Sequence, residues 1–147
     1  MLVLVTTDPI DEASVRAQIG NGRKDIGAIV GFSGLVREIS EGSNSPLELE
    51  HYPGMTEKML SKIGEDAIEK FDLIDAAIVH RVGVMEVGEE IVYVAAASRH
   101  RQAAFNGANF MMDYLKTRAP FWKKEGSGSW VEARDEDENA LQKWSRE

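Results

Sequence analysis

Two stretches of helical periodicity constrain this chain more than anything else in it. From Met55 to Phe71 the residues Met55, Met59, Leu60, Ile63, Ala67, Ile68 and Phe71 recur at helical spacing, with Glu and Lys between them. A second long helix is predicted from about Arg101 to Arg118, ended by Pro120. Between the two lie β-prone runs at Ile74 to Val82 and Glu90 to Ala97, joined by what reads as a short connection over Gly83 to Gly88, so a hairpin is expected. Further strands are expected at Leu2 to Thr6, Gly27 to Arg37 and Leu47 to Tyr52, and the glycines of the second suggest a bulge or a close backbone approach. Asp8-Pro9 reads as the start of a helix running to about Ile19, with Asp8 as its cap and Pro9 at the first helical position. Phe121 to Glu125 and Trp130 to Ala133 read as two short strands about a Gly-Ser turn, and Glu38 to Pro46 as an exposed loop. Strands and helices alternate without a strict βαβ rhythm. The class is therefore α+β, a mixed or antiparallel sheet packed with two long helices, plus a small antiparallel β lobe.

One domain over residues 1–147 is expected, with an acidic C-terminal tail from about 134 to 147 that is predicted to be a helix containing Leu141 and Trp144. Such a length buries roughly 70% of the unfolded surface and needs no covalent staple. There is no cysteine, which removes disulfides, thiolate metal sites and a cysteine nucleophile. Any sulfur this chain handles must arrive on another molecule. The opening MLVLVTTDPIDE reads as a strand and not as a signal peptide, and no apolar run approaches the ~20 residues of a membrane span, so a cytoplasmic protein is expected. With 17 Lys and Arg against 25 Asp and Glu, a net charge of −8 argues against a broad nucleic-acid surface. The stretch Ser98 to Glu125 reverses that balance: Arg99, Arg101, Lys116, Arg118, Lys123 and Lys124 meet only Asp113 and Glu125. Concentrated positive charge in an acidic chain marks a site for a small anion.

Three common motifs fail here. Gly31-Phe32-Ser33-Gly34-Leu35 has Leu35 where a nucleophile elbow needs its second glycine. Gly27, Gly31 and Gly34 are followed by no Gly-Lys-Ser/Thr, so they form no phosphate loop. His51, His80 and His100 lack metal-ligand spacing, and neither a metal nor a cofactor is expected. His80-Arg81, between strand and turn, reads as structural, and Arg99 as a solvated or structural charge. Phe105, Met112 and Leu115 fall at helical spacing and are expected in the core. Met111 and Phe32 are candidates to border a pocket, whereas Trp122 and Trp130 are expected to pack the small lobe, with stacking on a ligand ring as the alternative.

What remains is a constellation: Gly34-Leu35-Val36-Arg37, Ser98-Arg99-His100-Arg101 followed by Ala104-Phe105, Asp113-Tyr114-Leu115-Lys116, and Pro120-Phe121-Trp122-Lys123-Lys124-Glu125. With His51-Tyr52-Pro53-Gly54-Met55 and His80-Arg81-Val82-Gly83, it resembles the large, catalytic subunits of molybdopterin synthase, from about Gly27 to the C-terminus. An α/β-hammerhead-like arrangement is the expected architecture. The resemblance implies a sulfurtransferase that converts cyclic pyranopterin monophosphate into molybdopterin by installing the dithiolene sulfurs. It also implies the sulfur donor, a thiocarboxylate on the C-terminal Gly-Gly of a small ubiquitin-like partner subunit. Both the substrate phosphate and the thiocarboxylate are anions, in keeping with the basic stretch.

By the same resemblance Arg37, His100 and Arg101 match substrate-binding positions, with Lys124 and Glu125 as further substrate contacts. A phosphate wants convergent donors, and arginine offers a planar fork. Lys116 and Lys123 match the lysines of the reaction centre. A free lysine, with a pKa of about 10.4, is protonated at neutral pH and can hold a thiocarboxylate or stabilise developing negative charge. To act as base or nucleophile its pKa must fall, through burial or neighbouring cations.

Arg101 and Lys116 lie fifteen positions apart on one predicted helix, about 22 Å at ~1.5 Å per residue. One pterin phosphate does not bridge that span within a single chain. The site is therefore expected to be composite in a symmetric homodimer, itself part of a heterotetramer with the small subunit. Two rival readings are a non-catalytic adaptor for a ubiquitin-like protein and a single-stranded nucleic-acid binder using Arg99, Arg101, Lys123 and Trp122.

Overall fold

The computed structural model describes residues 1–38, 42, 45–125, 129–131 and 144, with backbone alone for 123–125 and 129–131. In chain order the elements are β1 (Leu2–Thr6), α1 (Glu12–Gln18), β2 (Ala28–Leu35), β3 (Leu47–His51), α2 (Met55–Phe71), β4 (Asp75–Arg81), β5 (Gly83–Met85), β6 (Glu90–Ser98), α3 (Arg101–Arg118), β7 (Phe121–Glu125) and β8 (Ser129–Val131). They form two four-stranded sheets, ordered β1-β4-β6-β2 and β5-β3-β7-β8. In the first, β4 and β6 form the expected antiparallel pair, β2 runs antiparallel to β6, and β1 runs parallel to β4. All pairings of the second sheet are antiparallel.

The alternation of side chains along β4 and β6 builds a core on each face of the first sheet. Ala76, Ile78, Val92, Val94 and Ala96 face the two long helices, where they meet Leu60, Ile63 and Ala67 of α2 and Ala108, Met111 and Leu115 of α3. Ala77, Val79, Tyr93, Ala95 and Ala97 face the other way and are covered by Val15 and Ile19 of α1. A third cluster of Val36, Leu47, Leu49, Val82 and Met85 joins the small sheet to the large one. The run Ala95-Ala96-Ala97, wholly buried, keeps both layers close to the strand.

Several local expectations change. The first helix begins at Glu12, because Asp11 and not Asp8 caps it by accepting the Ser14 N–H at 3.1 Å. Asp8 instead sits in a bend, its N–H donating to the Thr6 hydroxyl. The connection over Gly83 to Gly88 holds a three-residue strand, β5, which pairs with β3 and buries Met85 completely. Three residues are too few for a periodic pattern to declare itself. The bulge expected among the β2 glycines falls between Gly34 and Leu35. The helix expected from Arg134 lies outside the described residues except for Trp144, which packs edge-on against Phe71 and Phe110.

Candidate active site

His100 and Arg101 sit at the N-terminus of α3. His100 is the capping residue, extended at φ −132° and ψ 150°, and both side chains are exposed. The turn that delivers them is tightly built. The buried Ser98 hydroxyl donates to the His100 carbonyl, and the Gly27 N–H donates to the Ser98 carbonyl at 2.9 Å. A Cβ on Gly27 would lie 2.1 Å from the Arg99 carbonyl oxygen, so only glycine permits this approach. Arg99 leans on Asp25 at 3.7 Å, an exposed pair of small energetic weight.

Lys116 lies at the other end of α3, exposed in its last turn. One turn before it, Asp113 accepts the Trp144 indole N–H at 2.6 Å. After α3 the chain turns at Ala119 and Pro120 into β7, where Lys123, Lys124 and Glu125 pair with Leu49, Glu48 and Leu47 of β3. Arg37 follows the end of β2 and is exposed. Its neighbour Val36 is bonded to the segment before β6, donating to Glu89 O at 2.9 Å and accepting from Gly88 N at 2.7 Å.

These placements divide the expected site in two. Ala28 pairs with Ser98 and Leu35 with Glu90, so Arg37 and His100 stand at opposite ends of the β2–β6 pair. At ~3.3 Å per residue the nine steps from Ala28 to Arg37 span roughly 30 Å. Because α3 runs back along β6, Arg37 and Lys116 share one end of the sheet with the start of β7, while His100 and Arg101 occupy the other. Within one chain, Arg37, His100 and Arg101 are not brought together.

The remaining expectations sort by burial. Met112 and Leu115 are in the core, but Phe105 is 57% exposed. Its neighbours Ala104 and Ala108 carry the buried stripe of α3, and Phe105 lies just off it. Met111 is completely buried between α3 and the sheet and borders no open surface, whereas Phe32 is 43% exposed on β2. Trp122 is also half-exposed and meets Tyr52 edge-on at 5.9 Å. The Trp130 side chain is outside the described residues. His80 and Arg81 are structural: His80 is buried and stacked on Phe121, and Arg81 donates to Thr7 O and pairs with Glu89.

A second polar cluster went unforeseen, on the α1 face. There Glu12, Arg16, Ser33 and Tyr93 line an open groove, and the Ser33 hydroxyl donates to the Glu12 carboxylate. Glu90 stands beside them with its Oε2 buried and without a hydrogen-bond partner, and its pKa is raised to about 7, by burial first and then by Glu12, against the opposing Ser33 hydrogen bond. Glu12 and Glu90 are too far apart in sequence for any local pattern to pair them.

The scaffold is α+β and presents arginine, histidine and lysine at helix and strand ends. Residues 5–118 match the family described as MoaE protein. The molybdopterin synthase catalytic subunit of Rhizobium meliloti (strain 1021) is 52% identical over 149 residues, covering 98% of this chain and 96% of that one. A solved molybdopterin biosynthesis MoaE protein from Burkholderia ambifaria MC40-6 superposes with a TM-score of 0.86 at 44% identity, covering both chains fully. Subunits 1 and 2 of the molybdopterin-converting factor from Helicobacter pylori 26695 have been solved as a protein–protein complex. A chain of it shares the fold at a TM-score of 0.70 and 18% identity, with 92% of each chain covered. The chain belongs to the MoaE protein family.

Proposed function

We propose that this chain is the catalytic subunit of a molybdopterin synthase, an enzyme of molybdenum cofactor biosynthesis. The carrying observation is its near-full-length likeness to a relative named for that activity. In this reading it converts cyclic pyranopterin monophosphate into molybdopterin. The sulfur comes from the C-terminal thiocarboxylate of a small ubiquitin-like subunit, in the cytoplasm. A chain with no cysteine cannot carry that sulfur on a thiol of its own, which fits a donor on another molecule. The Helicobacter pylori assembly of two subunits supports a protein partner of this kind.

The chemistry asks for cations at two places. The substrate phosphate needs the forked donors of Arg37 and Arg101 with His100, and Lys124 and Glu125 are further contacts to the substrate. The thiocarboxylate, and the negative charge that develops when its sulfur is transferred, need Lys116 and Lys123. Since Arg37 shares an end of the sheet with Lys116, and His100 and Arg101 do not, His100 and Arg101 come from a second protomer. The exposed Phe32 and Leu35 on the edge strand β2 give a homodimer an apolar surface to bury. Two small subunits then make a heterotetramer.

The test supplies an already thiocarboxylated partner, so that only this subunit's chemistry is assayed. Lys116→Ala and Lys123→Ala are each expected to lower product formation by about 10²-fold or more, the usual cost of removing one charge-stabilising donor. Near-normal turnover in both would refute the assignment. Binding of the partner without any turnover by the unaltered chain would favour the adaptor reading.

A further inference from the structure

Lys116 ends one element and Lys123 lies in the next, and a short link sets their separation. Two buried polar groups from elsewhere in the chain grip that link. Thr56, completely buried at the start of α2, donates its hydroxyl to the Pro120 carbonyl at 3.2 Å. The same oxygen accepts the Tyr52 N–H at 3.1 Å, and the Thr56 N–H donates back to Tyr52 O at 2.9 Å. The Thr56 hydroxyl is thereby held by the Tyr52 N–H as well as by Pro120, and a backbone bond ties the two residues. One residue further on, the Phe121 ring stacks on the buried His80 imidazole, with centroids 4.0 Å apart and planes at 23°. His80 is itself oriented by the contact of its Nδ1 with the Arg81 carbonyl at 2.9 Å. Pro120 and Phe121 are thus held by α2 on one side and by β4 on the other.

A helix that merely stopped would need neither contact. Pro120 ends α3 unaided, and its carbonyl, the first after the helix cap, could take water at the surface. Spending a buried threonine hydroxyl on that carbonyl fixes the direction in which β7 leaves α3. It therefore fixes where position 123 stands relative to position 116. We infer that Thr56 is a positioning residue, which acts through the Pro120 carbonyl to set the spacing of the two reactive lysines. The inference rests on the reading of Lys116 and Lys123 as the reaction centre, but the geometry it asserts can be measured without turnover. Catalytic groups misplaced by about 1 Å can lose on the order of 10²-fold in rate while substrate binding is largely kept.

Thr56→Val keeps the shape and removes the donor, and Thr56→Ser restores it. Because the chain has no cysteine, Lys116→Cys with Lys123→Cys gives two unique sites for spin labels in the dimer. Pulsed-EPR distances in protein diluted with unlabelled chain then report the 116–123 separation directly. Thr56→Val in that background should shift or broaden the distance distribution, and Thr56→Ser should return it. In the lysine-bearing chain Thr56→Val should lower kcat roughly tenfold or more with KM for the pterin changed less than about twofold, and Thr56→Ser should recover most of the loss. An unchanged distance distribution in folded Thr56→Val overturns the inference whatever the activity. So does a loss of rate that the folded fraction fully accounts for. If the unaltered chain makes no product, the functional reading fails by itself and the distance measurement still decides the role of Thr56.

Discussion

Glu90 is pushed well away from ordinary carboxyl behaviour. Burial first, and then the neighbouring Glu12 carboxylate, raise its pKa from 4.5 to about 7, although the Ser33 hydroxyl pulls the other way. The folded chain therefore holds a proton here that the unfolded chain releases at lower pH. The stabilisation is complete below about pH 4.5 and is lost as pH rises through about 7. Arg16, Tyr93 and Ser33 are the other polar groups of this cluster, and burial raises the Tyr93 pKa as well, with Glu12 adding to the rise. Glu90→Gln should remove that part of the slope. Denaturant midpoints at pH 5 and pH 8 should differ less in the variant than in the unaltered chain, and equal slopes would show that Glu90 carries no shared proton. Nothing in the sequence announces this pair, because a strand-starting Glu and a helix-starting Glu each look like ordinary surface charges. Arg37, His100 and Arg101 are proposed from their motifs, whereas the contacts of Thr56 and His80 become visible only once their partners Pro120 and Phe121 are placed.

At the scale of elements, long periodic segments were the easiest to read. α2 and α3 fall at the expected residues because seventeen or eighteen positions give several turns of pattern before a breaker. Short elements offer no such redundancy, so the pattern gives only a connection at β5 and leaves Asp8 and Asp11 as equal starts for α1. Phe105 shows the limit of spacing even inside a good helix, since the width of the buried stripe depends on what packs against it. The join between β2 and α3 is a sharper case. Gly27 touches the Arg99 carbonyl so closely that an added methyl must push the two elements apart. Gly27→Ala should cost about 1–3 kcal/mol of stability, read from chemical denaturation. It should also weaken the substrate affinity that the proposed function assigns to His100.

Across the whole molecule, the class of fold followed from the mix of elements, but the order β1-β4-β6-β2 did not. Pairing of β1 with β4 depends on residues more than seventy positions apart, and no local signal encodes it. The same distance from local pattern applies to the assembled site, whose halves lie at opposite ends of one sheet. If the halves come from two protomers, a dimer mixing Arg101→Ala on one chain with Lys116→Ala on the other retains one intact site. It should keep about half the unaltered turnover, although each homodimeric variant is impaired at both sites. A mixed dimer no better than its parents would place each site within a single chain. The parallel position of β1 also has a consequence for how the molecule is made. Its neighbour β4 is synthesised some seventy residues after it, beyond α2. The apolar run Leu2-Val3-Leu4-Val5 must wait with its backbone unpaired until β4 is made. β1 can be secured only once β4 has been made, and until then this apolar strand is open to aggregation.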